Sequence, residues 1–447
     1  MKKLNRILFS LIAPVVDGNA ELNSECGMQI AELNSEYPLS RTATALPKGE
    51  PMWSAELDEK TLGAVYALAR KHDLGHLLAG ALRENAKCGM QNAELNAKLN
   101  AEYPLSRAAT ALPKGEPMWS AEFVAELEKA ELTAVWRVKN NENEQGRVRK
   151  CLEEAQIPFV LLKGAVIRGF YPEAWMRTSS DIDLLVPREK LAEVVRLITS
   201  ALDYRISTTE IHDASLISRS GVHLDVHTLF EGDGEDCRLL NAAWSSSSGL
   251  VGDTDSMERF LTPEHFYVYH VAHMAKHVLH GGCGIRPFID LYLIRSHTNR
   301  DGATVEAILT ECGLARFEAM AVRLADAWMT GDGADLSPEL SAFEEYVLTG
   351  GVYGSSEQYV AARQRGGKQG KARYILGRIF MPYEQLKKRH PVLEKHRYLT
   401  PFFEVYRWCG LLVPARFRRS RKELSSAMRV DEARVTSVEE LLESLGL

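Results

Sequence analysis

The stretch FVLLKGAVIRGFYPEAWMRTSSDIDLLV, residues 159–186, is the most informative about the fold, because two apolar runs border charged residues there. The first run starts just upstream, at Ile157, and predicts a buried strand that ends at Lys163-Gly164. The second run, DIDLLV, predicts another strand, whose alternation puts Asp181 and Asp183 on the same face. Two carboxylates side by side in an apolar strand repel each other, and they are costly to bury unless a cation lies between them.

A third acid stands further along the chain in a similar context, within GVHLDVHTLF, residues 221–230. This segment also predicts a strand, with Asp225 at its centre and His227 on the same face. If it neighbours the DIDLLV strand, the three carboxylates form an oxygen-rich site of the kind that Mg²⁺ prefers. The alternative is a set of capping or ion-paired surface carboxylates, which apolar strands favour less than turns do.

The pattern around these acids predicts an α+β fold, a small mixed β-sheet covered by helices. Two helices are expected over 165–170 and 188–201, and three further strands over 204–207, 214–219 and 222–229. The first strand ends in a glycine and leads into a helix, so backbone N–H groups are available to an anion. Lys163 adds a positive charge next to Gly164, and Arg177 could add a bidentate contact to a phosphate.

Composition places the chain among ordinary globular proteins, with 447 residues, 45% hydrophobic and 26% charged, and a net charge of −6. This length suits two or three domains. We expect a core over 156–300 and a helical, basic C-terminal region over 301–447. Residues 361–422 hold 17 Lys or Arg against three Glu, which favours a polyanionic partner such as RNA. The alternative is a set of solvated helix faces.

Seven cysteines without a C-x-x-C pair indicate a reducing compartment and no disulfide framework. The N-terminal MKKLNRILFSLIAPVV either mimics a signal peptide or forms an amphipathic helix. We favour the helix, because no small-x-small cleavage site follows. No other stretch approaches the roughly 18 apolar residues of a membrane span. We therefore expect a cytoplasmic protein without a membrane anchor.

Residues 37–56 recur at 103–122 with one mismatch in twenty positions. Such near-identity indicates a recent duplication, since fold repeats diverge at unconstrained positions and need about three units for stability. Both copies are rich in Pro, Gly, Ser and Thr, which is typical of loops. We therefore predict a helical N-terminal region, 1–155, interrupted by two inserted loops, 26–56 and 88–122. Paired binding motifs are the alternative.

A histidine-rich segment, PEHFYVYHVAHMAKHVLH at 263–280, predicts a helix with several histidines on one face. One interpretation is a zinc site, although the helix lacks the glutamate of an H-E-x-x-H motif. Another is a set of surface histidines. We favour a helix that lines a cleft, in which His273 and His277 face the substrate and Asp290 orients or charges one of them.

Together these residues resemble the nucleotidyltransferase superfamily typified by DNA polymerase β. The run L-L-K-G, the following Y-P and Arg, D-I-D-L-L-V and the later apolar-Asp-apolar strand carry the resemblance. More narrowly, they are similar to an uncharacterised bacterial nucleotidyltransferase family in which Lys-Gly replaces the usual Gly-Ser of the first motif. The resemblance covers residues 150–300 and implies a nucleotidyltransferase core flanked by helical N- and C-terminal regions.

The resemblance implies two-metal catalysis with Mg²⁺ or Mn²⁺. Asp181 and Asp183 would bridge two ions, and Asp225 would hold the catalytic ion and help to activate an acceptor hydroxyl. Gly164 would let the backbone approach the triphosphate of an NTP such as ATP, and Lys163 would pair with it. The acceptor, on protein, RNA or a small molecule, stays open, as do base preference and oligomeric state. A non-catalytic nucleotide- or partner-binding module is the alternative.

Overall fold

The structure is a computed structural model, and it describes the greater part of the chain. The described residues are 2–17, 59–89, 120–209, 213–228, 250–251, 256–331, 336–352, 354–364, 376–377, 380–390, 392–409 and 430–447. Most of the two repeat copies lies outside these ranges, and so does the glycine-rich stretch at 366–370. The inserted loops therefore stay a prediction.

In the described part of the chain, four helices precede the sheet: α1 (Lys2–Val16), α2 (Glu59–Lys71), α3 (Gly75–Gly89) and α4 (Ala121–Glu154). The first is the amphipathic helix that the sequence predicts, and it buries Leu8, Leu11 and Ile12. It packs against α2 and α3, and α3 packs along α4. The long α4 begins at Ser120, whose hydroxyl accepts a hydrogen bond from the N–H of Phe123.

The described residues form a mixed sheet of seven strands in the order β3-β4-β5-β2-β1-β7-β6. The strands are β1 (Phe159–Leu162), β2 (Asp181–Leu185), β3 (Arg205–Thr209), β4 (Asp213–Ile217), β5 (His223–His227), β6 (Leu250–Val251) and β7 (Glu258–Leu261). β2 is parallel to β5 and antiparallel to β1, while β1 is parallel to β7. The predicted α+β fold with a mixed sheet is confirmed.

β6 and β7 have no counterpart in the sequence-based expectation. The apolar pattern of β7 is broken at its start by Glu258 and Arg259, so it carries little strand signal. Glu258 is nevertheless buried, because Arg149 of α4 donates to both of its carboxylate oxygens, at 2.7 and 3.0 Å. An ion pair to a distant helix thus takes the place of an apolar side chain, and local periodicity gives no sign of it.

Further helices follow the first strand or lie C-terminal to the sheet. They are α5 (Gly164–Ile167), α6 (Leu191–Ala201), α7 (Pro263–Leu279), α8 (Arg286–His297), α9 (Gly302–Glu311), α10 (Ala315–Thr330), α11 (Pro338–Gly350), α12 (Ser356–Arg363), α13 (Tyr383–Arg389), α14 (Val392–Lys395), α15 (Thr400–Cys409) and α16 (Glu432–Ser444). The helix expected over 165–170 divides into α5 and a 3₁₀ turn, Arg168–Phe170. No helix within the described ranges is long and apolar enough to cross a membrane.

The chain divides into two compact units. One comprises residues 1–270, 286–312 and 321–335 and contains the whole sheet, and the other comprises 271–285, 313–320 and 336–447 and is helical where it is described. The predicted three-part division of the chain stays a prediction.

One face of the sheet is apolar and packs against α4 and α6. Its centre is made by Ile182 and Leu184 of β2 and by Leu224 and Val226 of β5, all essentially inaccessible to solvent. Because side chains alternate along a strand, the residues between them point to the opposite face. The apolar core therefore directs Asp183 and Asp225 to the same side of the sheet.

His76 of α3 gives the first unit an expected acid sensitivity. The ring is buried, its Nε2–H donates to the carbonyl of Met176 at 3.0 Å, and burial followed by the charge of Arg286 lowers the pKa of His76 from 6.5 to about 4. Below pH 6.5 His76 binds a proton in the unfolded state, whereas in the folded state it stays neutral until the pH approaches 4. Stability should therefore fall as the pH falls, by about 2 kcal/mol at pH 5 and about 3 kcal/mol at pH 4.

Denaturant unfolding of the protein and of His76→Asn at pH 7 and pH 5 measures this effect. The variant should lose about 2 kcal/mol less stability between the two pH values than the parent protein. An identical loss in both proteins would show that His76 is not the group responsible.

Candidate functional site

Three carboxylates converge on two adjacent parallel strands. Asp183 of β2 stands opposite Asp225 of β5 in the strand register, and Asp181 lies two residues before Asp183 on the same face. Carboxylate oxygens of all three lie within 4.8 Å of one another, and this is the group of three or more potential metal ligands found among the described residues. The structure thus brings together the three acids that the sequence singles out.

Asp183 is the most buried of the three acids and the most strongly contacted. Its Oδ1 accepts a hydrogen bond from Nζ of Lys163 at 2.6 Å and lies 3.2 Å from Nε2 of His227. Burial alone would raise the pKa of Asp183, but Lys163 and His227 outweigh it and hold that pKa well below its usual range. This carboxylate is therefore ionised at neutral pH although its side chain is only 5% exposed.

The pKa of Asp181, in contrast to that of Asp183, is raised. Burial raises the pKa of Asp181, and the charges of Asp183 and Asp225 raise it further, against the lowering effect of Lys163 and Arg177. The cations of the protein therefore do not fully offset the repulsion among the acids. A divalent cation between the three carboxylates would offset it, and oxygen-rich clusters of this kind suit Mg²⁺ and Mn²⁺.

His227 links the acid cluster to a further carboxylate on β4. Its Nδ1 lies 2.7 Å from Oδ1 of Asp213 while its Nε2 faces Asp183. Burial would lower the pKa of His227, but the hydrogen bonds to Asp183 and Asp213 raise it to about 9. The ring is therefore protonated at neutral pH, and both nitrogens donate.

The sequence did not lead us to predict Asp213 or Ser215 as residues of the site. Asp213 pairs with His227 and Ser215 with Asp225 in the register between β4 and β5, and the Ser215 hydroxyl donates to Oδ1 of Asp225. Strand alternation could have found both, because they occupy the positions of β4 that share a face with Asp225. The expected start of this strand, at Ala214, left Asp213 just outside it.

The turn at Lys163-Gly164 has an unusual backbone conformation and little space for a side chain at Gly164. Lys163 has φ +50°, in a region that side chains other than glycine rarely adopt and that costs about 1 to 3 kcal/mol. A Cβ on Gly164 would lie 2.9 Å from Cβ of Ser179, so only glycine fits there. Arg168 in turn donates to the Ser179 hydroxyl at 3.2 Å. The turn is thus closely packed against the segment that leads into β2.

Arg177 lies in the same region, held by an acid of α8. Its Nε donates to both carboxylate oxygens of Asp290, at 2.8 and 3.0 Å, and its Nη1 donates to the carbonyl of Thr178 at 2.6 Å. The hydroxyl of Tyr171 donates to Asp290 at 2.7 Å. The pair is buried, with the Arg177 side chain 11% exposed and that of Asp290 1% exposed. Nη1 of Arg177 also lies 3.8 Å from the position of a Cβ on Gly164.

A second ion pair secures the residue that follows Arg177. Thr178 donates from its hydroxyl to Asp73 at 3.2 Å, and its carbonyl accepts from Arg286 at 3.1 Å, while Asp73 and Arg286 form an ion pair. Asp73 lies in the turn between α2 and α3, more than a hundred positions before Thr178. The sequence carries no local signal for this contact, and both Asp73 and Arg286 went unpredicted.

The structure gives contacts for the histidines of helix α7 but does not assign them a function. His270 bonds through Nε2 to the carbonyl of Pro287 at 2.9 Å, and the Nε2 atoms of His273 and His277 lie 3.0 Å apart. Within the described ranges, these histidines join no group of three or more potential metal ligands. The contacts of Asp290 are with Arg177 and Tyr171, so its predicted action on a histidine of this helix stays a prediction, as does a substrate-facing role for His273 and His277.

Comparison with known proteins agrees with the chemistry of this cluster. The model of a family described as "uncharacterised nucleotidyltransferase" matches residues 58–330, which is more than half of the chain and includes the whole acid cluster. No curated protein matches the chain significantly. The chain belongs to this family of uncharacterised nucleotidyltransferases.

Proposed function

We propose that this member of the uncharacterised nucleotidyltransferase family transfers a nucleoside monophosphate from an NTP to an acceptor hydroxyl and releases pyrophosphate. The observation that carries the proposal is the cluster of Asp181, Asp183 and Asp225, whose ligand oxygens lie within 4.8 Å of one another. Three carboxylates beside a lysine suit a divalent ion that faces a triphosphate. Lys163-Gly164 in place of Gly-Ser also supports membership of the Lys-Gly subfamily within the DNA polymerase β-like superfamily.

In the proposed reaction, the acceptor oxygen bonds to the α-phosphorus while the bond from that phosphorus to the β-phosphate oxygen breaks. Pyrophosphate leaves with the electron pair, and the acceptor hydroxyl gives up its proton to the carboxylate of Asp225. A divalent ion, Mg²⁺ or Mn²⁺, supplies stabilisation of charge on the attacking and leaving oxygens. Asp181, Asp183 and Asp225 would hold such ions, and Asp225 would also help to activate the acceptor hydroxyl.

The positive groups around the cluster are proposed to hold the triphosphate. Lys163 supplies a point charge, and Gly164 allows close approach of the backbone. Arg177, oriented by Asp290, adds further donors, and the protonated His227 adds a positive charge. Three of these groups already contact, or act electrostatically on, the acids of the cluster, which supports a single site for metal and phosphate.

Incubation of the full chain with Mg²⁺ or Mn²⁺, each α-³²P-labelled NTP and cell extract tests the proposal. The matched control is Asp181→Ala/Asp183→Ala. Label transferred to an acceptor by the parent protein alone supports nucleotidyl transfer. If neither protein transfers label while both bind NTP equally well, the catalytic proposal is wrong and a non-catalytic nucleotide-binding module takes its place.

The affinity for NTP is expected to depend on the metal and on Lys163. Lys163→Ala removes a charge-assisted contact that contributes about 1.5 to 3 kcal/mol. The variant should therefore bind NTP roughly 10- to 100-fold more weakly. Calorimetry in the presence of Mg²⁺ measures this, and Lys150→Ala, which removes an exposed lysine of α4, is the control. Unchanged affinity in Lys163→Ala would remove Lys163 from the phosphate site.

A further inference from the structure

The second unit carries an unusual concentration of exposed apolar side chains. Among the described residues, eleven large hydrophobic side chains are exposed, and eight of them lie between residues 376 and 408. Monomeric proteins rarely leave such side chains clustered in solvent unless they meet a ligand or a partner. These exposed side chains therefore indicate a surface that binds a partner.

The inward face of α15 is fixed by polar and aromatic contacts. Glu404 is the buried residue of this helix, and its carboxylate accepts from the N–H of Met381 at 2.6 Å and from Arg407. The Phe403 ring stacks on His390 with centroids 4.3 Å apart. These contacts turn the other side of the helix to solvent.

Three exposed aromatic rings, hereafter the aromatic row, follow one another at four-residue spacing: Tyr398 in the 3₁₀ turn Arg397–Leu399 before α15, and Phe402 and Tyr406 on the outward side of α15. They are 75%, 63% and 62% exposed. Residues four apart on a helix lie about 6 Å apart along its axis. That distance approaches twice the 3.4 Å rise per nucleotide of a strand, so bases can stack on successive rings.

The aromatic row lies within a stretch of the sequence that is rich in basic residues. The sequence from 361 to 422 has 17 Lys or Arg against three Glu, in a chain whose net charge is −6. Lys395 and Arg397, directly before the row, are exposed. Exposed aromatic rings within a basic stretch are the combination by which proteins hold single-stranded nucleic acids.

We propose that the aromatic row, together with the exposed Lys395 and Arg397, binds single-stranded RNA, and that RNA is the acceptor. The second statement rests on the proposed nucleotidyl transfer, since an RNA strand offers hydroxyl groups beside its phosphates. A membrane surface fits less well, because membrane-bound helices bury a broad apolar face, whereas two rings of this row carry a polar hydroxyl.

Fluorescence anisotropy of the full chain with a labelled single-stranded RNA of about 20 nucleotides, longer than one typical site, tests the binding. Phe402→Ala/Tyr406→Ala should weaken RNA binding at least about 30-fold, since stacking contributes about 1 to 3 kcal/mol per base. Trp136→Ala, which removes a ring 62% exposed in the first unit, should leave the affinity unchanged. Both variants change exposed side chains, and thermal melting checks that they fold.

The proposal is overturned if the chain does not bind the RNA at about 50 mM salt, or if the double variant binds it as well as the parent protein. It is also overturned if the double variant loses binding to anionic vesicles, or self-association, and not to RNA. Addition of α-³²P-labelled NTP separates the two proposals. In the presence of cell extract, RNA that is bound while no molecule at all is labelled contradicts nucleotidyl transfer, whereas label on proteins or small molecules but not on RNA contradicts the present inference.

Discussion

Asp183→Asn is expected to reduce nucleotidyl transfer by about 10³-fold or more. The substitution keeps the size of the side chain but removes the charge at the centre of the acid cluster, where Asp183 interacts electrostatically with Lys163, His227 and Asp181. Stabilisation of transition-state charge by a bound divalent ion contributes several kcal/mol, and about 4 kcal/mol corresponds to a factor of 10³ in rate. Transfer of label from an α-³²P-labelled NTP measures the loss.

The matched control for Asp183→Asn is Glu193→Gln, which neutralises an acid of α6 in an exposed pair with Lys190. It should transfer label at the rate of the parent protein. Because Asp183 is buried, thermal melting must accompany the assay to separate loss of fold from loss of activity. A folded Asp183→Asn protein that keeps more than a tenth of the activity would contradict the assignment.

Asp290→Ala is expected to lower the free energy of unfolding by about 3 to 5 kcal/mol. It removes the acceptor of Arg177 and Tyr171 in a place where Arg177 is only 11% exposed, so the guanidinium keeps its charge without its carboxylate. Breaking a buried pair from one side costs that much because the remaining charge stays desolvated. Denaturant-induced unfolding of the full chain measures the change.

The control for Asp290→Ala is Asp326→Ala, whose partner Arg295 lies on the same helix as Asp290. Both members of that pair are about a third exposed, and such pairs contribute at most about 1 kcal/mol. If the two variants lose equal stability, the Arg177–Asp290 pair is no more important to the fold than a surface ion pair.

The acid cluster was predictable because its information is local. Alternation along β2 puts Asp181 and Asp183 on one face, and the apolar neighbours of Asp225 predict its strand. That β2 and β5 lie side by side was a hypothesis from the sequence. The structure pairs the two strands in a parallel register that sets Asp183 opposite Asp225. The same alternation would have found Asp213, had the start of β4 been placed one residue earlier.

What the sequence could not reveal depends on contacts between distant parts of the chain. Asp73 reaches Thr178 from the turn between α2 and α3, and Arg149 makes the burial of Glu258 in β7 possible. Neither contact leaves a mark in hydrophobic periodicity, because charged residues usually indicate a solvent-facing position. Arg177 and Asp290 were both singled out, but their pairing follows only from the fold.

The most direct test of nucleotidyl transfer is to locate the label of the donor nucleotide after the reaction. The purified chain is incubated with Mg²⁺ and its acceptor in parallel reactions, one with α-³²P-labelled NTP and one with γ-³²P-labelled NTP. Nucleotidyl transfer predicts that the acceptor gains the α-label and that the γ-label appears in pyrophosphate. An acceptor that gains the γ-label, or no transfer of either label by a folded, nucleotide-binding protein, would contradict it.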